Sequence, residues 1–95
     1  MVLKSGALLR EKDIELNLIK QVKAAGGIAY KFVSPGRIGV PDRIVLLPGG
    51  EIIFVECKAP GAKPRASQVR EHQRIRALGG RVVVIDSYDL SSILI

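Results

Sequence analysis

Glu56 and Lys58 stand two residues apart in the run Ile52-Ile53-Phe54-Val55-Glu56-Cys57-Lys58, which is otherwise apolar. Side chains alternate along a strand, so the acid and the amine share a face about 7 Å apart while Val55 and Cys57 take the other. Alone, an E-x-K pair also describes a solvated strand end with a cross-strand ion pair. Asp42 shifts the balance. It follows Pro41, five residues before Leu47, while Glu56 comes five residues after Glu51, and Pro48-Gly49-Gly50 reads as a tight turn between the two runs. Pairing Leu47 with Glu51 therefore sets Asp42 opposite Glu56. Two adjacent carboxylates repel unless a cation or a proton separates them. Oxygen-only ligands suit Mg²⁺, which keeps several waters and takes one or two carboxylates plus a substrate phosphate. Lys58 adds positive charge where a phosphorane or an attacking hydroxide would develop. The joint pattern P-D-x13-E-x-K is more specific than either half.

Positioning these groups falls to a small set of elements. From Glu11 to Ala25, apolar residues at Ile14, Leu18, Ile19, Val22 and Ala25 form the stripe of an amphipathic helix, which Gly26-Gly27 ends. Glu15 sits at the edge of that stripe, where it can lean over the sheet towards Asp42 and Glu56 or simply face solvent. Glu11, nearer the helix start, is a less favoured substitute. Ile28 to Val33 reads as a short strand, and Arg43–Leu47 with Glu51–Lys58 as an antiparallel hairpin. Ser67 is a candidate cap for a helix running to Leu78, closed by Gly79-Gly80. Arg81 to Ile85 has the continuous aliphatic character of a buried central strand, and Leu90–Ile95 a short last helix or an unassigned element. The order αβββαβ(α) makes an α/β chain with a mixed sheet, the last strand lying parallel to one hairpin strand.

The balance of charge bears on the partner. Fifteen Lys+Arg against nine Asp+Glu leave a net +6 on 95 residues, which suits a polyanion, either nucleic acid or an anionic membrane surface. With no Trp and few other aromatics, base stacking is not the main binding device. One cysteine excludes an intrachain disulfide and a cysteine-built zinc site, and fits a reducing cytoplasm. No signal-peptide pattern and no span-length apolar run is present, so a soluble cytoplasmic protein without a membrane partner is expected. Residues 1–95 form a single domain, with 1–10 a peripheral or flexible N-terminal segment.

Three segments, KFVSPGRIGVPD, EIIFVECKAPG and SQVREHQRIRALGGRVVVI, together resemble the VRR-NUC (virus-type replication-repair nuclease) domain, a branch of the PD-(D/E)xK superfamily. The resemblance runs from about Glu11 and is to a standalone, phage-like member. It implies a restriction-endonuclease-like fold, with Asp42 and Glu56 binding Mg²⁺ or Mn²⁺ and Lys58 positioning or stabilising the attacking water. It further implies the Cys57 carbonyl as a metal ligand, Glu15 as the acidic position on the first helix, and Gln68 as a polar residue near the scissile phosphate. Standalone members resemble homodimeric endonucleases acting on branched DNA such as four-way (Holliday) junctions in repair. A phage-encoded member would act in the host cytoplasm. Cys57 departs slightly from the small aliphatic residue more usual at its place.

The expected activity is thus that of a metal-dependent DNA endonuclease with no organic cofactor. Its rivals are a DNA-binding module of the same fold that does not cut, and a regulatory protein whose basic surface meets an acidic partner. Lys31, Arg37, Lys63, Arg65, Arg70 and Arg74 are the candidate phosphate contacts, each of which can equally be part of a solvated face. Arg37 and Lys31 are the better placed, because the Pro35–Gly39 loop leads directly into Asp42. His72 shares a helical face with Gln68 and reads as a partly exposed residue with no catalytic task, since this chemistry does not require histidine.

Overall fold

The computed structural model describes residues 8–94. Its elements run α1 (Glu11–Ala24), β1 (Ile28–Lys31), β2 (Arg43–Leu47), β3 (Glu51–Cys57), α2 (Ala66–Ala77) and β4 (Val82–Ile85). The order is the one expected. Of the two readings of the last segment, a short helix or an unassigned element, the described residues show no helix: residues 91–93 make a single turn in which the Ile93 and Leu94 amides donate to the Leu90 carbonyl.

The strands form one sheet in the order β1-β2-β3-β4, antiparallel except for the parallel β3–β4 pair. Gly49 and Gly50, with φ of 90° and 83°, turn β2 into β3 through a conformation that a side chain would strain. The register pairs Leu47 with Glu51 and Arg43 with Val55, so its continuation sets Asp42 across from Glu56. Arg81–Ile85, expected at the centre, lies at the edge, and Val84 is 37% exposed. Val82 and Ile85 are buried on opposite faces, and a continuous aliphatic run suits such an edge strand as well as a central one, so composition does not separate the cases.

The two faces of the sheet differ in kind. Ala29, Val45, Ile53, Val55, Cys57 and Ile85 turn to one side and pack with Ile14, Leu18 and Val22 of α1 and with Leu90 and Ile93 in a single apolar core. Leu9 belongs to that core at 5% exposure, which corrects the expectation of a peripheral segment at this position; residues 1–7 lie outside the described residues. The opposite face meets α2, whose buried residues are Gln68, Glu71 and His72. Among the described residues no helix is long and apolar enough to cross a membrane.

α2 begins one residue before the expected cap. Arg65 is the N-cap, its amide donating to Gln68 Oε1 at 2.8 Å, and Ser67 falls inside the first turn. At Gly39 (φ 82°) the loop into β2 presses on that turn, and a Cβ there would come within 2.4 Å of the Ser67 carbonyl oxygen. Only glycine permits this approach, which fastens the chain three residues before Asp42 to the helix that carries Gln68.

Candidate active site

By strand alternation Asp42, Glu56 and Lys58 belong to the α2 side of the sheet, and Arg43 and Cys57 to the α1 side. Asp42 closes the strand end: its Oδ2 accepts the Cys57 amide at 2.9 Å, while its own carbonyl accepts the Phe32 amide. Pro41, fully buried, falls opposite Cys57 in the same register. Proline has no N–H, so β2 offers the Cys57 carbonyl no ladder donor at that position.

Glu56 is the centre of the arrangement at 1% exposure. Its Oε2 accepts Gln68 Nε2 at 2.9 Å and lies 3.5 Å from Lys58 Nζ; its Oε1, buried, has no hydrogen-bond partner. The Gln68 amide has no freedom to flip, because its oxygen already accepts the Arg65 N–H. Burial pushes the Glu56 carboxyl up to about 7, and the Asp42 carboxylate adds to the rise while the Lys58 ammonium opposes it. A carboxyl held near neutrality beside a second carboxylate and an amine is a site prepared for added positive charge.

His72, expected to be partly exposed, is 2% exposed and points Nε2 at Glu56 Oε1 from 3.6 Å. Burial, with the Arg76 and Lys58 cations, lowers its pKa, so near neutral pH the imidazole is uncharged. The sequence held one sign of this, the four-residue spacing from Gln68, which puts both on one face of α2.

Glu15 is not brought to Asp42 and Glu56. Its Oε2 accepts Arg43 Nε at 3.0 Å, and Arg43 also donates to the Ala29 carbonyl at 3.1 Å. The reason is parity: Arg43, one residue after Asp42, points to the α1 side, so the acid on α1 meets the arginine rather than the aspartate. The Cys57 thiol shares that side, and its burial, reinforced by the carboxylates of Asp42 and Glu15, pushes it up to about 12.

The basic candidates divide into two groups. Arg37 lies 3.6 Å and Arg74 3.3 Å from Glu71 Oε1, and with Ile38, Ser67 and Arg70 they line a cavity of about 230 Å³ beside the first turns of α2. Glu71, which sequence reasoning did not single out, is 7% exposed and serves as their common anchor. Lys31, Lys63 and Arg65 are exposed and stand outside this groove.

No family model matches the chain. A curated relative from Acyrthosiphon pisum secondary endosymbiont phage 1, named "Putative nuclease p44", is 67% identical over 87 residues, covering 92% of this chain and 94% of its own. A solved structure described as "VRR_NUC domain" superposes with a TM-score of 0.77 at 39% identity, over 82% of this chain and 85% of its own. Together with the mixed four-stranded sheet these likenesses establish the restriction-endonuclease-like fold. On the identity and coverage of both relatives, the chain belongs to the VRR-NUC family of nucleases.

Proposed function

We propose that this nuclease is a divalent-metal-dependent DNA endonuclease with Asp42, Glu56 and Lys58 at its catalytic centre. The observation that carries the reading is the meeting of two carboxyl groups across the β2–β3 strand ends, one of them buried with an unpartnered oxygen. Asp42, Glu56 and the Cys57 carbonyl, which Pro41 opposite leaves without an N–H from that position, make an all-oxygen set suited to Mg²⁺ or Mn²⁺. When bound, such an ion would polarise the scissile phosphate and make water a better nucleophile at neutral pH.

The chain's own groups supply the rest. Lys58, 10% exposed along its side chain, holds its ammonium beside Glu56, where negative charge grows as the phosphodiester is attacked. Gln68 keeps the Glu56 carboxylate oriented from above. Arg37, Arg70 and Arg74 in the groove beside α2 favour phosphates flanking the cut, with Lys31, Lys63 and Arg65 as outer contacts. Glu15 retains the ion pair with Arg43 and steadies the strand end from the other side.

Four-way junctions are the proposed substrate class and a homodimer in the host cytoplasm the proposed working form. Two symmetric cuts need two active sites, which a two-fold dimer provides. The uncovered apolar row Ile28, Leu46 and Ile52, at 52%, 38% and 53% exposure and aligned across three strands, supports a second copy on the sheet face beyond α2. Labelled junction, duplex and single-stranded DNA incubated with Mg²⁺, Mn²⁺ or a chelator tests the reading. Cleavage should require the metal and vanish in Lys58→Ala. Binding without nicks, or cleavage that persists in the chelator, overturns it. A monomeric mass by light scattering at micromolar concentration would remove the dimer.

A further inference from the structure

Two buried atoms without hydrogen-bond partners face each other in this site: Glu56 Oε1 and His72 Nε2, 3.6 Å apart. Their side chains are 1% and 3% exposed. Buried polar atoms are rarely left unpaired, because each forfeits its bond to water. The gap is too narrow for a mediating water, whose two bonds at a bent angle span on the order of 4.5 Å. Without a water between them, direct contact is the hydrogen bond open to the two atoms, and it leaves Oε1 a second lone pair for a cation.

The other Glu56 oxygen shows the same device completed. Oε2 accepts from Gln68, whose amide is locked by Arg65. Gln68 and His72 are one helical turn apart, so two polar side chains descend from the same face of α2 onto the two oxygens of one carboxylate.

Resting on the reading of Glu56 as a metal-holding carboxylate, we propose that His72 is a positioning residue. Its imidazole donates Nε2–H to Glu56 Oε1 and, with Gln68, fixes the plane of the carboxylate so that its remaining lone pairs face Asp42. In the ligand-bound protein the 3.6 Å gap closes to hydrogen-bond length, as contacts in unliganded sites commonly do. Such support of a ligating carboxylate is worth about 10–100-fold in metal affinity.

Calorimetric titration of Mn²⁺ into wild type, His72→Phe, His72→Gln and Glu56→Gln tests this, with melting temperatures taken without metal. His72→Phe should bind Mn²⁺ about 10–100-fold more weakly while melting no lower than wild type. His72→Gln, which keeps an N–H donor near the Nε2 position, should recover most of the affinity. Imidazole ¹⁵N spectra of the wild type should show the Nε2-protonated neutral form, its proton shifting when Mg²⁺ is added. Wild-type affinity in His72→Phe, no recovery in His72→Gln, or an Nδ1-protonated imidazole each overturns the role. If His72→Phe does not fold, the glutamine variant and the wild-type spectra decide. Undiminished Mn²⁺ binding by Glu56→Gln would sink the metal reading itself. Loss in Glu56→Gln without loss in His72→Phe sinks only the role of His72.

Discussion

The two faces of this sheet are built on opposite principles. On the α1 side, Val45, Ile53 and Val55 are fully buried against Ile14, Leu18 and Val22, which are fully buried too. On the α2 side, Val82 is buried beside the polar Glu56, Lys58, Gln68, Glu71 and His72. Burying apolar surface stabilises the fold, whereas burying charge costs free energy that mutual attraction seldom recovers in full. A domain this small has little stability to spare, so a buried polar face is a cost to folding that the proposed chemistry would account for.

That contrast can be broken at several points. The largest effect should come from Asp42→Asn, which lowers metal-dependent cleavage by about 10³-fold or more, the scale of several kcal/mol of charge stabilisation. The melting temperature should stay within a few degrees of wild type. A variant that unfolds instead would make the polar face structural. The mirror experiment is Leu18→Ala, expected to lose about 2–5 kcal/mol of stability in urea titration while the folded fraction cuts at the wild-type rate. A matching loss of specific activity would show that the apolar face shapes the site directly.

A smaller effect sharpens the comparison through pH. With the Glu56 carboxyl at about 7 in the folded chain and at its ordinary value of 4.5 when unfolded, the folded state holds the extra proton between those values. The metal-free protein should then lose stability as pH rises from 4.5 to about 7 and level off above it. Glu56→Gln should flatten that slope in melting curves, and an unchanged slope would assign it to other groups. Metal affinity should run the opposite way, rising through the same window as the carboxyl ionises. Smaller still is Arg70→Ala, expected to reduce the salt dependence of DNA binding by about one phosphate contact in a fluorescence titration. Glu15→Gln should be smallest, with cleavage within about threefold of wild type, because a partly exposed ion pair contributes on the order of 0–1 kcal/mol. A larger loss would return Glu15 to the catalytic set.

Legibility in the sequence followed the same division. The hairpin register could be read because a two-glycine turn fixes which residues pair, and Asp42 and Glu56 met by that count. Gln68 came within reach by resemblance and is found bonded to Glu56. Glu15 was misplaced because the face of a residue flips with each step along β2, and nothing local says that Arg43 would claim the acid. His72 and Glu71 were missed for a deeper reason. In α2 the usual pattern is inverted, with Val69 40% exposed and Gln68, Glu71 and His72 turned inward. Hydrophobic periodicity reads a helix that packs for burial; this one packs for a site, and its polar stripe looks like solvent-facing surface until the sheet beneath it is known.

The chain's one thiol bears on how this protein can be handled. Cys57 is fully buried with its ionisation pushed to about 12, so alkylating reagents should find no reactive sulfur while the protein is folded. A cysteine introduced at the exposed position of Lys63 would then take a dye alone, reporting on nucleic acid at the rim of the site without removal of the native residue. Release of the Cys57 thiol would in turn serve as a clock for unfolding, since modification there requires the strand end itself to open.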